Sequence, residues 1–446
     1  MDPANASAKR VKAGEEDAVA KPAIAFPNQG LSLKNKQIVL LLQGGGALGA
    51  YQVGAFDALA SECAKAENKI EWVAGISIGA INSAVIAAPK GGDAVRELEL
   101  LWDEFLSPEY PPFDNTDLTQ AWLSWSWQPW LSALEAKYLN WAWMSFNPCG
   151  QANFFSSRVL DPFHNPWVQQ WFRKLDREQL AFYGTQPLAE TLDRHVNWVS
   201  LKDPKNTHLS LGATHVCDGE VEFFNSWERP LNADHVRASG ALPPAFPPIQ
   251  IGNEWYFDGG VSNNTPIEVL AEKLFVSNKD TLVFLIDLWD RKNTVLPESL
   301  DDVLWRQKCI QYGSRRKAAE IVVERYEHRV AKQHPNHPIR LELCQVLLEH
   351  DNKEPQFSFA DADFSRSTFR KLRAQGLTDM MNALHRSKLV TNQHGQPLGG
   401  DYAALYRYGS QGKWEISPTQ HQHKVSDRSD FPAMYEPWMR WWRQSA

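Results

Sequence analysis

Hydrophobic positions near the start of the chain fall into two kinds of run. Gln37 to Gln43 (Gln-Ile-Val-Leu-Leu-Leu-Gln) is apolar almost without a break. An unbroken run, rather than an alternating one, marks a strand covered on both faces. From Ala47 to Lys65 the residues Tyr51, Val53, Phe56, Leu59 and Ala60 return at helical spacing. Lys69 to Ala74 predicts a second strand, ended by Gly75, and a further helix runs from Ser77 through Ile81, Val85 and Ile86 towards Pro89. Strand, loop, helix, strand, sharp turn, helix implies parallel strands joined by a right-handed crossover.

Further along, Asp93 to Leu106 predicts a helix, and Glu109 to Gln151 is rich in Pro, Trp and Ser and reads as an insertion. His208–Thr214 and Glu220–Phe224 flank Cys217-Asp218-Gly219, a hairpin signal. Pro243-Pro244-Ala245-Phe246-Pro247-Pro248 is rigid and non-helical. Ile249–Ile251 and Trp255–Phe257 predict short strands around Gly252-Asn253, and the second delivers Asp258. Thr281 to Leu288 is the last strongly buried strand expected. Past Asp290 the texture changes: Leu300–Gln333 is a long helical pattern dense in charge, Ile339–Leu348 alternates like a strand, and Ser365–His385 is helical again. No internal repeat is present.

Composition narrows the classes. The 446 residues suffice for one large domain with additions, or for two domains. A net charge of −7, with both signs mixed along the chain, argues against nucleic acid as the main partner. It leaves room for a local basic patch at a membrane. Cys63, Cys149, Cys217, Cys309 and Cys344 form no C-x-x-C pair, which fits reduced thiols in the cytoplasm better than a disulfide framework. Met1 to Lys36 has no apolar core segment, so a disordered lead-in is expected there rather than a secretory signal. No run of about 18 apolar residues predicts a membrane span.

Three short pieces carry the chemistry. Gly75-Ile76-Ser77-Ile78-Gly79 places a serine between glycines, after a strand and before a helix, which is the nucleophile-elbow arrangement. The sharp turn needs small neighbours, and the helix dipole favours negative charge developing there. Gly44-Gly45-Gly46-Ala47-Leu48-Gly49 can offer the backbone N–H groups of Gly45 and Gly46 as an oxyanion hole. The same run satisfies the dinucleotide pattern G-x-G-x-x-G. That reading wants an acidic residue at the end of the second strand, where Gly75-Ile76-Ser77 stands instead.

For the base, His215, His235, His334 and His337 stand in no glycine or strand-end setting. Asp258, at the tip of a short strand and followed by Gly259 and Gly260, is the better candidate. A carboxylate near its free pKa of about 3.9 is a weak base for a serine, and burial beside Trp255, Tyr256 and Phe257 would raise it. Asp218-Gly219 is a competing acid, read as the tip of the hairpin.

With these pieces named, the chain resembles the patatin-like phospholipases over roughly 37–288. The resemblance rests on the glycine loop, Gly-Ile-Ser-Ile-Gly-Ala, Ala238-Ser239-Gly240-Ala241-Leu242-Pro243-Pro244-Ala245-Phe246, and Asp258-Gly259-Gly260-Val261-Ser262-Asn263-Asn264-Thr265-Pro266. It implies a three-layer α/β/α fold with a largely parallel sheet. It implies a Ser77–Asp258 dyad with Gly45 and Gly46 as oxyanion donors, and no metal or cofactor. Many members carry Arg or Lys where this chain has Leu48. The expected layout is a lead-in over 1–36, a catalytic domain over 37–290 and a mainly helical accessory region over 291–446, like the C-terminal extension of some bacterial members. Within the catalytic domain, 109–172 would form a Trp-rich cap or lid.

Trp122, Trp125, Trp127, Trp130, Trp141, Trp143, Trp167 and Trp171 would pack inward or face lipid, as Trp438, Trp441 and Trp442 could. The expected activity is serine ester hydrolysis on a phospholipid or lysophospholipid, by a cytoplasmic protein in peripheral contact with membrane. Rival readings are a storage polyester or small acyl ester as substrate, and a lipid-binding scaffold with a vestigial site. Oligomeric state is not legible.

Overall fold

The structure is a computed structural model that describes residues 27, 30–106, 150–151, 153–158, 174–270, 279–290, 296–313, 317–333, 339–350, 360–392 and 395–412. The tryptophans of the predicted insertion, Trp438, Trp441 and Trp442 at the other end, and Cys149, His334 and His337 lie outside the described residues.

The uninterrupted apolar run is strand β1 (Gln37–Leu42), and it lies in mid-sheet between β2 (Ile70–Gly75) and a late strand. Helix α1 (Ala50–Lys65) crosses over between β1 and β2. Beyond β2 come α2 (Ile78–Ala87), all ten residues of which are buried, and α3 (Ala94–Phe105). Asp93 caps α3 by accepting from the N–H groups of Val95 (3.0 Å) and Arg96 (3.3 Å), which satisfies two of the orphan donors of a helix start. Strands β3 (Gly150–Gln151), β4 (Phe155–Ser157) and β5 (Tyr183–Gly184) form a small separate antiparallel sheet, followed by helix α4 (Gln186–His195).

The main sheet resumes with β6 (His208–His215) and the predicted hairpin partner β7 (Val221–Asn225), then α5 (Ala233–Ser239), β8 (Ile249–Ile251), β9 (Glu254–Asp258) and β10 (Thr281–Asp287). It does not stop at β10. After α6 (Leu300–Tyr312) and α7 (Ala318–Gln333), β11 (Leu341–Leu347) pairs parallel to β10. After α8 (Arg366–Arg386) and the short β12 (Lys388–Leu389), β13 (Ala403–Gly409) pairs parallel to β11. The expectation that Thr281–Leu288 is the last buried strand is therefore corrected. Every residue of β11 is buried. Its polar members are masked by pairing: Glu342 takes Lys36 at 2.9 Å, and Gln345 accepts from Arg407 at 2.7 Å and donates to Asp287 at 3.1 Å. Those paired polar residues gave the sequence its alternating look. The long helical pattern from Leu300 is likewise two helices, broken at Gly313.

The strand order is β12-β13-β11-β10-β1-β2-β6-β9-β8, with β7 also on β6. Six strands, β13 to β6 in that order, run parallel. Alternation along β1 sends Ile38, Leu40 and Leu42 into the core with α1, α2, α3 and α8. It sends Val39 and Leu41 to the other face, with Val323, Tyr326 and Val330 of α7 and the Ile267–Leu270 turn. This is the three-layer α/β/α arrangement that the sequence implied. Residues 30–36, the near end of the segment read as a lead-in, dock on the core: Leu31 N–H donates to Leu384 C=O at 2.8 Å and Leu33 is buried.

Candidate active site

Strand β6 builds the site by sharing one edge between two neighbours. Its first half, His208–Leu211, pairs with Trp72–Gly75 of β2. Two residues on, Ala213–His215 pair with Asp258–Tyr256 of β9, which runs the opposite way. The ends of β2 and β9 thus meet at Gly212, and the turns leaving the two strands come together: Gly75-Ile76-Ser77 from one side, Asp258-Gly259-Gly260 from the other. Gly212 has to be small, since a Cβ there would lie 2.9 Å from Phe223 and 3.0 Å from Ile76.

Ser77 occupies φ 57°, ψ −125°, a region that costs a non-glycine residue on the order of 1–3 kcal/mol. The neighbours hold it there. Ser77 N–H donates to the carbonyl of Ser239 (3.1 Å) and lies 3.1 Å from its hydroxyl. The Ser77 carbonyl accepts from Ala80 (2.9 Å) and Ile81 (3.2 Å), opening α2. The flanking glycines are dictated by backbone proximity: a Cβ on Gly75 would sit 2.2 Å from the Gly79 carbonyl oxygen, and one on Gly79 would sit 2.3 Å from that of Leu42.

Asp258 is 2 % exposed. Its carboxylate accepts from Gly260 N–H at 2.6 Å, and the Ser77 side chain favours its ionised form. Burial pushes its pKa up from 3.8 to about 7, against the opposing pull of Ser77 and of the Gly260 N–H. The rise expected from burial is present, and its cause is loss of water.

The glycine loop lies against Ser77 and Asn264. A Cβ on Gly44 would be 3.0 Å from Ser77 Cβ and 2.3 Å from Asn264 Oδ1. Gly46 stands at φ 54°, and a Cβ there would meet the Asp361 carbonyl oxygen at 2.1 Å. Among the described residues the N–H groups of Gly45 and Gly46 donate to no protein acceptor. Buried amides hold the rest of the loop. Gln43 donates to Thr265 Oγ1 (2.9 Å) and Tyr312 C=O (3.1 Å) and accepts from Leu288 N–H (2.7 Å). Asn82 donates to Gly49 C=O (3.2 Å) and Gln52 Oε1 (2.9 Å) and accepts from Trp102 Nε1 (2.9 Å).

Other titratable candidates lie elsewhere. Nδ1 of His215 is 2.9 Å from Asp218 and its Nε2 is 2.9 Å from Glu254, which leaves both His215 and Asp218 at the hairpin. His235 faces Asn232 at 2.6 Å, and burial pushes its pKa down to about 4. Several residues at the site carry no local signal in the sequence. Tyr312 and Asp361 come from the region after 290. The Lys308–Asp361 pair (2.7 Å) sits over Gly46. Asn264 belongs to the motif that begins at Asp258, and its signal in the sequence is its place six residues after that carboxylate.

A family profile for patatin-like phospholipases matches residues 40–271, a stretch that contains the glycine loop, Ser77 and Asp258. The chain belongs to the patatin-like phospholipase family. This family places it among lipid acyl hydrolases in general terms. Similar solved structures include VipD from Legionella pneumophila, at 15% identity and TM-score 0.35, covering 78% of this chain and 67% of that chain. The type III effector protein ExoU matches at 14% identity and TM-score 0.26, covering 78% and 53%. The heterodimeric ExoU–SpcU complex from the type III secretion system of Pseudomonas aeruginosa gives 14%, TM-score 0.27, and 80% and 54%. The chain therefore spans about half the length of the ExoU chains it matches. Comparison with curated proteins gives no match. No described helix of this patatin-like chain is long and apolar enough to cross a membrane.

Proposed function

We propose that this patatin-like protein hydrolyses the acyl ester of a phospholipid or lysophospholipid through an acyl-enzyme on Ser77. The observation that supports this most is the meeting of the Ser77 and Asp258 turns at Gly212, with the Asp258 carboxylate buried, its pKa pushed up to about 7, and the Ser77 side chain favouring its ionised form. A base poised near neutrality both takes and returns a proton readily. Ser77 Oγ attacks the ester carbon while its proton passes to Asp258. The electron pair of the carbonyl collects on its oxygen, facing the amides of Gly45 and Gly46. Collapse breaks the ester C–O bond, and the alcohol leaves with the proton from Asp258. Water then gives a proton to Asp258, attacks the acyl-enzyme, and releases the fatty acid as Ser77 regains its proton. The two backbone donors and the N-terminus of α2 stabilise both oxyanions. Peripheral contact with a lipid aggregate would supply the substrate.

Ser77→Ala is expected to abolish both hydrolysis and covalent labelling by a fluorophosphonate. Labelling that persists in this variant would refute the assignment, and failure of the native chain to label would favour a lipid-binding scaffold. Turnover of micellar phospholipid set against soluble short-chain esters and polyester separates the substrate classes.

A further inference from the structure

The carbonyl of Gly44 is held by two side chains from distant parts of the chain. Trp289 Nε1 donates to it at 2.7 Å and Asn264 Nδ2 at 2.9 Å. Asn264 grips the same residue a second time, since its own carbonyl accepts Gly44 N–H at 3.3 Å. A carbonyl oxygen has two lone pairs, so two donors occupy it fully. The peptide bond is planar and trans, so the Gly44 carbonyl and the Gly45 N–H point in opposite directions from one rigid plate. Fixing the first fixes the second.

We infer that Trp289 and Asn264 are positioning residues for the oxyanion hole, aiming the Gly45 amide by clamping the carbonyl behind it. The inference rests on the proposed role of Gly45 as an oxyanion donor. Glycine is the residue most free to rotate its peptide plane, so a loop of three glycines needs such a clamp if its donors are to be aimed before substrate arrives. The surroundings make the clamp stiff. Trp289 is 5 % exposed, and its ring packs against Trp305 (5.4 Å between centroids) and Tyr312 (5.0 Å), both on α6. Leu288 and Trp289 fill the space behind Gly45, where a Cβ would meet them at 2.8 and 3.3 Å. Asn264 lies just beyond the turn that carries Asp258, so one residue ties the base loop to the oxyanion loop. Trp289 lies two residues past the end of β10, the strand beside β1, so the register of the two strands carries it to the Gly44–Gly45 peptide.

Trp289→Phe keeps an aromatic ring and removes the donor. In the full chain it is expected to lower kcat on a soluble ester about tenfold, less than the roughly hundredfold loss of an oxyanion donor itself. KM should stay within about twofold, because the missing interaction is made in the transition state. The rate of fluorophosphonate labelling at Ser77 should fall in parallel, and the thermal midpoint should hold. A kcat and labelling rate equal to the native ones would overturn the inference, as would a lowered midpoint with native kcat per labelled site. Should Trp289→Phe fail to fold, Asn264→Ser removes the other donor and is judged by the same measurements. A native chain that does not label at Ser77 sinks the proposed function itself, a result separate from native labelling that Trp289→Phe leaves unchanged.

Discussion

A carboxyl group buried away from bulk solvent holds its proton more tightly in the folded chain than in the unfolded one, even where neighbouring donors favour its ionised form. For Asp258 this has two consequences of opposite value. In catalysis the ionised form is needed, so kcat/KM should rise with one-proton slope as pH passes about 7. A limb centred near the ordinary carboxylate value would show that another group is the base. In stability the sign is reversed. The folded pKa lies above the unfolded one, so the contribution of Asp258 to stability is fully present below about pH 4, is lost as pH rises through 7, and is level beyond. Asp258→Asn should therefore abolish hydrolysis yet stabilise the fold at pH 8 by up to a few kcal/mol, read as a higher thermal midpoint, with little change at pH 4. Residues whose identity is forced by geometry were legible. Gly75 and Gly79 are required by a turn in which a Cβ would strike backbone, and they frame Ser77, which the turn holds in a strained conformation. Asn264, Trp289 and Gln43 were not, because each works through a hydrogen bond to a partner more than 200 residues away, and 19 tryptophans offer no means of picking one.

Helices α1 and α8 show the same limit at the scale of elements. Both were foreseeable from periodicity, but not their contact. Gly54 of α1 and Gly376 of α8 let the backbones touch: a Cβ on Gly54 would lie 1.8 Å from the Arg373 carbonyl oxygen, and one on Gly376 would lie 2.0 Å from that of Tyr51. Around this contact Tyr51 donates to Asp379 at 3.0 Å, and Arg373 pairs with Asp57 at 3.1 Å and with Glu99. From sequence alone a mid-helix glycine is a cost of about 1 kcal/mol; here it sets the spacing of two helices. Gly376→Ala should push them apart and destabilise by about 1–3 kcal/mol, as overpacking does. A denaturant midpoint equal to the native one would count against this close packing. Asp379, raised to about 6 by burial, sits beside the contact.

On the scale of the molecule, the parallel crossover from β1 to β2 was legible, and the strands added after residue 290 were legible least. Their burial is supplied by neighbours on both sides, which no local window reveals. A chain cut after Asp290 would leave β10, buried along its whole length, as a bare apolar edge, and such edges pair with other chains. We expect that truncation to elute as aggregate on gel filtration, and a monomeric, labelling-competent fragment would contradict it. The same sheet order dictates how the chain must be made. β1 leaves the ribosome early, but β10, its partner on one side, emerges 244 residues later. At about 5–20 residues per second, the growing chain carries an unfinished central strand for tens of seconds. Nascent β1 is thus a natural client for holding chaperones, and slower translation lengthens its exposure rather than helping it fold.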